Sequence, residues 1–185
     1  MSLTDVDWSR LPRPEDDGGA DHLTGVAVPS AALPSTAGGA VDLSALEGLS
    51  VVYAYPMTGR PDRDLPEGWD AIPGARGCTP QSCAFHDHAA ELAGRGVAHL
   101  FGLSTQSTDY QREVAGRLHL PFPLLSDEGL ALAGALRLPV MEVEGVTLLK
   151  RLTLALRDGR IERVWYPVFP PDRAAGDVLA WLDAA

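Results

Sequence analysis

Cysteine is nearly absent from this chain: two residues in 185, Cys78 and Cys83. Basic charge is scarce too, with 15 Lys and Arg against 25 Asp and Glu, a formal net charge of −10. No apolar run reaches the ~18 residues needed to cross a bilayer. Each shortage excludes something. Two cysteines five positions apart close too small a loop to act as a structural staple. A chain this acidic lacks the basic face that nucleic-acid binding requires. Without an apolar span, no membrane partner is expected. Met1 to Asp21 lacks the basic-then-apolar pattern of a signal peptide, so the expected location is cytoplasmic, where a disulfide is catalytic or transient rather than structural. No internal repeat is visible.

What is present suffices for one globular domain: 45% hydrophobic residues and 22% charged ones. Residues 1–22, with Pro12, Pro14 and the run Glu15-Asp16-Asp17-Gly18-Gly19, read as a flexible acidic N-terminal tail on which Trp8 and Leu11 are the possible docking points. Residues 23–185 read as the folded domain. It opens with a small hairpin, 31–35 and 40–43, around a glycine turn. Ser50 to Tyr55 is continuously apolar, as in a strand buried on both faces. Residues 57–77, rich in Pro and Gly, form a long loop of the kind that is usually functional. A helix follows from Thr79, then a buried strand at 97–103. Thr108 to Gln111 has the form of a capping box opening a helix to about Leu118. Phe122–Leu125 is a short strand, with Ser126 capping a helix over 127–136. Leu148–Leu156 reads as one strand, joined through the hairpin signal Asp158-Gly159 to a return strand at 161–166. Ala175, Val178, Leu179 and Leu182 define one face of a C-terminal helix. The order predicts an α/β, thioredoxin-like fold: a mixed central sheet flanked by helices on both faces.

The two cysteines sit where loop gives way to helix, in Gly77-Cys78-Thr79-Pro80-Gln81-Ser82-Cys83. A cysteine in a helix's first turn faces unpaired N–H groups and the positive end of the helix dipole, both of which favour a thiolate. Arg76 is a near neighbour that could add to this, and Pro80 suits the early helix. In an intact helix, residues five apart differ by about 7.5 Å along the axis and about 140° around it. A disulfide needs Cα atoms roughly 4.4–6.8 Å apart. The pair can therefore join only if the first turns unwind. A metal site would need two further ligands. His86 and His88 are near in sequence, but their spacing does not put all four groups on one face, and they read as solvated helix residues.

Several motifs in order then resemble one family. They are Tyr55-Pro56, Gly77-Cys78-Thr79-Pro80-Gln81-Ser82-Cys83-Ala84-Phe85-His86-Asp87, Gly102-Leu103-Ser104, Leu120-Pro121-Phe122-Pro123-Leu124-Leu125-Ser126-Asp127, and Lys150-Arg151-Leu152-Thr153 with Asp158-Gly159. Over about residues 23–183 the chain resembles the peroxiredoxins, and most of all their peroxiredoxin Q or bacterioferritin comigratory protein branch. The resemblance implies a thiol peroxidase acting on hydrogen peroxide or small organic hydroperoxides. Cys78 is then the peroxidatic cysteine, Cys83 the resolving one, and Arg151 the cation that stabilises thiolate and leaving oxygen. It implies no cofactor and no metal, a thioredoxin- or glutaredoxin-type dithiol as reductant, and a monomer or dimer. The family's hydroxyl three residues before the reactive cysteine is missing: Ala75 stands there, and Ala71 stands where the family has proline. The 57–77 stretch is an insertion, Thr58 the candidate for the missing hydroxyl, and Thr79 its rival. Two other readings of the same fold are a thiol–disulfide oxidoreductase, against which the absence of C-x-x-C counts, and a redox-sensing or protein-interaction module using the 57–77 loop.

Overall fold

In the computed structural model, which describes residues 5–185, a five-stranded mixed sheet is assembled in the order β5 (Leu124–Ser126), β4 (Val97–Ser104), β3 (Leu49–Ala54), β8 (Leu152–Arg157) and β9 (Arg160–Trp165). A short hairpin, β1 (Leu33–Pro34) and β2 (Ala40–Val41), leads into β3 (Leu49–Ala54), every residue of which is buried. The run of apolar residues makes β3 the central strand. It pairs in parallel with β4 (Val97–Ser104), and β4 in parallel with β5 (Leu124–Ser126). Helices α1 (Cys78–Gly94), α2 (Thr108–Arg117) and α3 (Ala131–Leu136) separate these strands and the next hairpin. On its other side β3 pairs antiparallel with β8 (Leu152–Arg157), which turns back into β9 (Arg160–Trp165). Asp158 and Gly159 make that turn with φ of +49° and +75°, as the Asp-Gly signal requires. Helix α4 (Ala174–Asp183) ends the chain.

Alternation along β3 divides the core in two. Val51 and Tyr53 point to the side covered by Phe85 and Leu92 of α1 and by Val178 and Leu179 of α4. Val52 and Ala54 point to the opposite side, among Leu132 and Leu136 of α3 and Leu23 and Leu33 of the N-terminal region. Helices on both faces of a mixed sheet make this the α/β, thioredoxin-like fold expected from the sequence.

Three local expectations are corrected. The stretch 148–156 is two strands: β7 (Val146–Leu149) folds back on β6 (Val140–Val143) through Glu144-Gly145, and β8 starts afresh at Leu152. The chain breaks at Lys150-Arg151, where the Lys150 N–H donates to the Pro139 carbonyl at 2.9 Å. Apolar patterning runs through the break and hides it. The helix expected over 127–136 begins at Ala131. Asp127, rather than Ser126, satisfies its free N–H groups, accepting from Leu132 at 3.1 Å and Ala133 at 2.7 Å. In α2 the N-cap is Ser107, whose hydroxyl accepts from Tyr110 N–H at 3.3 Å, so Thr108 is the first helical residue. Gln111 does not close a capping box. It is buried and donates to Ser104 Oγ at 2.9 Å and the Leu125 carbonyl at 2.7 Å.

The segment expected as an acidic tail begins with residues 1–4, outside the described residues. From Asp5 onward it lies against the domain. The Trp8 indole donates to Asp172 Oδ2 at 2.9 Å and stands edge-on to Phe169. The Asp17 carboxylate accepts from Lys150 Nζ at 2.7 Å and from the Tyr166 hydroxyl at 2.8 Å. These bonds hold its carboxyl well below the usual carboxylate range.

Candidate active site

Helix α1 starts at Cys78 because the residue before it can leave the helical path. Gly77 takes φ of +115°, a conformation side chains resist. A Cβ there would also lie 2.7 Å from Pro171 Cγ and 2.8 Å from Trp8 Cη2. The Gln81 N–H closes the first turn onto the Gly77 carbonyl at 3.0 Å. Pro80, third in the helix, gives up an N–H that would have had no partner. Cys78 is thereby held in the first turn, 3% exposed, beside the positive end of a 17-residue helix.

The sheet brings Arg151 to the same place. Ala54 at the end of β3 pairs with Leu152 at the start of β8. Arg151, one residue before Leu152, therefore lies at the carboxyl end of the parallel strands, where α/β sheets open their sites. Its Nη2 donates to Cys78 Sγ at 3.3 Å and to the carbonyls of Gly74 at 3.2 Å, Ala75 at 3.1 Å and Arg76 at 3.4 Å. Its Nη1 donates to Gln81 Oε1. Arg151 is 3% exposed, and among the described residues it forms no ion pair with a carboxylate. Burying a charge is costly unless it is paired. Every fixed acceptor around this guanidinium is neutral, so the sulfur of Cys78 is the one group in contact able to carry an answering negative charge.

Cys78 opens onto a cavity of about 360 Å³. Thr58 lines it, as does Thr79, so both candidate hydroxyls share the space in front of the sulfur. Thr58 is buried and anchored: its N–H and hydroxyl donate to Gln106 Oε1 at 3.1 and 3.2 Å, while Gln106 Nε2 donates to the Thr58 carbonyl at 3.2 Å. With its proton held by Gln106, the hydroxyl oxygen keeps its lone pairs for another donor. The insertion 57–77 forms much of the wall. Trp69 and Ala75 pack with Val143 and Leu148 of the β6–β7 hairpin, which fixes the loop. The Ala75 carbonyl, 3.7 Å from Cys78 Sγ, occupies the neighbourhood where the family motif has a hydroxyl.

Cys83 is not brought to Cys78. Both cysteines are free, α1 is unbroken from one to the other, and Cys83 is only partly buried. Burial and the Asp87 carboxylate push its thiol above its ordinary value, with Arg117 opposing them. His86 and His88 lie at the surface against Asp87 and Glu91, and no cluster of three metal-ligating side chains occurs among the described residues. Arg76, expected as a possible helper, pairs with Asp70 at 2.5 Å and lines the cavity. Sequence reasoning missed two supporting residues. Gln81 lies three residues after Cys78 on the same side of the first turn, and that spacing could have revealed it. Gln106 is 48 residues from Thr58 and gave no signal.

Fold and site together define a thioredoxin-fold protein whose reactive-position cysteine faces a buried arginine. Comparison with known proteins agrees. The redoxin family model matches residues 23–179, and the chain belongs to that family. Its relatives place it in the peroxiredoxin Q or bacterioferritin comigratory protein branch of the peroxiredoxins. The chain is 32% identical to the chloroplastic peroxiredoxin Q of Oryza sativa subsp. japonica over 162 residues, 86% of this chain and 66% of that protein's length. Among solved structures it is similar to the peroxidoxin BcpB of Mycobacterium tuberculosis, at 28% identity and TM-score 0.71, covering 88% of this chain and 98% of that one. The bacterioferritin comigratory protein of Xanthomonas campestris superposes with TM-score 0.69 at 25% identity, over 88% of this chain and 97% of that one.

Proposed function

We propose that the protein is a two-cysteine thiol peroxidase. The Cys78 thiolate attacks one oxygen of a hydroperoxide, and the O–O bond breaks. Sulfur is oxidised to sulfenic acid, and the other oxygen leaves with a proton as water or an alcohol. The observation that carries this reading is the 3.3 Å contact between Arg151 Nη2 and Cys78 Sγ, made by a buried guanidinium that has no carboxylate partner among the described residues. The guanidinium meets negative charge first on sulfur and then on the departing oxygen. Thr58 supports the same chemistry as acceptor for the hydroperoxide proton. Cys83 then condenses with the sulfenic acid, losing water to form a disulfide, and an external dithiol such as a thioredoxin or glutaredoxin returns both thiols. Alkyl peroxide reduction, named for the Xanthomonas relative, is in keeping with this reading. The cycle suits a thiol-reducing compartment. We place the protein in the cytoplasm, while the plant relatives are named as chloroplastic; fractionation of the native host decides between compartments.

The test follows the sulfur by mass. Treated with one equivalent of peroxide, Cys83→Ser gains one oxygen on Cys78, trapped by a sulfenic-acid reagent, while Cys78→Ser gains nothing and turns over no peroxide. In the same assay Thr58→Val slows oxidation and Thr79→Val does not. Peroxide consumption by Cys78→Ser at the wild-type rate contradicts the assignment.

A further inference from the structure

The segment before residue 23 lies outside the redoxin match, yet from Val6 to Asp17 it runs against the stretch that carries Cys78. Asp7 starts a short turn, Trp8–Arg10, by accepting from the Ser9 N–H at 3.1 Å. That turn presents the half-buried Trp8 to the start of α1. The indole edge fills the space a side chain on Gly77 would take: a Cβ there would lie 2.8 Å from Cη2 and 3.0 Å from Cζ3. The Trp8 N–H donates to Asp172 at 2.9 Å, and the ring stands 6.2 Å from Phe169. Arg13 lies over the same Phe169 ring, at 5.2 Å. Pro14 then meets Gly74, its Cβ 3.3 Å from where a Gly74 Cβ would be. Asp17 fastens the segment to Lys150 and Tyr166. Both glycines bear on the reacting sulfur. The carbonyls of Gly74, Ala75 and Arg76 position Arg151, and Gly77 directly precedes Cys78. One segment therefore presses on both ends of the stretch 74–77.

We propose that Trp8 is a positioning residue for the two steps at Cys78. Packed on Gly77, it holds α1 closed while Cys78 meets peroxide, and it leaves before Cys83 reaches Cys78. The inference rests on the two-cysteine reading and adds a control on its second step. Joining the cysteines requires the first turns of α1 to open, which moves Gly77 out from under the indole. Trp8 thus favours the closed helix, and by reciprocity the disulfide loosens Trp8 to the same degree. The bonding is unchanged: sulfur of Cys83 joins sulfur of Cys78, the S–O bond breaks, and water leaves. Trp8 sets only how often the helix is open to allow it.

The experiment reads the disulfide at equilibrium. Full-length wild type and Trp8→Ala are held in buffers of reduced and oxidised dithiothreitol, and the Cys78–Cys83 bond is followed by mass after alkylation. Losing one half-buried aromatic contact should favour the disulfide about tenfold, a shift of about 30 mV. Stopped flow should show disulfide formation about tenfold faster, with peroxide oxidation of Cys78 changed by no more than about twofold because the closed helix still dominates. A generally loosened fold does not give that split. Asp172→Ala, which frees the indole from its other side, should act in the same direction, and Asp172→Asn, which keeps an acceptor, should stay near wild type. In return, trypsin should cut after Arg10 faster in oxidised than in reduced wild type, and equally fast in both states of Trp8→Ala. If Trp8→Ala fails to fold, Asp172→Ala and the wild-type cleavage pair carry the test. An unchanged disulfide equilibrium in the folded variants, or equal cutting of both wild-type states, overturns the inference and leaves the peroxidase reading standing. If no Cys78–Cys83 disulfide forms in any buffer, the two-cysteine reading falls and the inference with it.

Discussion

Arg151 carries a buried positive charge that no carboxylate answers among the described residues. Its hydrogen bonds go to three backbone carbonyls, to the neutral Gln81 amide and to Cys78 Sγ. A carboxylate in place of Gln81 would neutralise the guanidinium; an amide orients it and leaves its field to the sulfur. Lysine keeps the charge but loses the fork that reaches Gln81, the carbonyls and the sulfur together. Arg151→Lys should therefore slow peroxide oxidation of Cys78 by about 10²-fold, the scale of losing one preorganised donor. It should do so without abolishing the fold, and stopped-flow oxidation alongside thermal melts checks both. The second cysteine behaves differently. Because burial and Asp87 raise the Cys83 thiol, less of it is thiolate at neutral pH. Disulfide formation, in which Cys83 attacks, should then accelerate with pH by about tenfold per unit from neutrality up to the raised pKa. Asp87→Asn should speed the neutral-pH step by removing the like charge. A resolving phase that is flat in pH would show that ionisation of Cys83 does not limit it.

At the scale of elements, the proposed disulfide requires α1 to exist in two shapes. In the reduced protein it is intact from Cys78, locked at its start by Trp8 and Pro171 packed on Gly77. Joining Cys78 to Cys83 requires its first turns to open. A methyl group at Gly77 meets both the positive φ and those two neighbours, so Gly77→Ala should cost on the order of 1–3 kcal/mol, read by denaturant unfolding. Part of that strain lies in the closed helix start, so the same variant should form its disulfide faster once oxidised. Cys78 at a helix start followed from Gly77 and Pro80, and the central strand from its apolar run. The break that frees Arg151 did not, because Leu148, Leu149, Leu152 and Leu154 are buried on both sides of it. Only pairing partners distinguish β7 from β8, and pairing is absent from a linear pattern.

On the whole-molecule scale, the sheet order makes the site. Cys78 enters from the loop after β3, Arg151 from the start of β8 at the same sheet end, and Gln106 from the end of β4. In the sequence, Cys78 and Arg151 came through a resemblance in motif order, and Thr58 only as a candidate for the hydroxyl that the motif lacks here. The sequence could not supply the Gln106 anchor or the place of Val6 in the cavity wall, which come from distant parts of the chain, and it offered Trp8 only as a docking point, without its partner Gly77. All these pieces converge on one sulfur, so the rate at which peroxide oxidises it tests the account most directly. The measurement is the second-order rate constant of reduced protein with hydroperoxide by stopped flow, with Cys78→Ser as control. The account predicts oxidation orders of magnitude faster than that of free cysteine under the same conditions, lost in Cys78→Ser. A rate equal to free cysteine would contradict it.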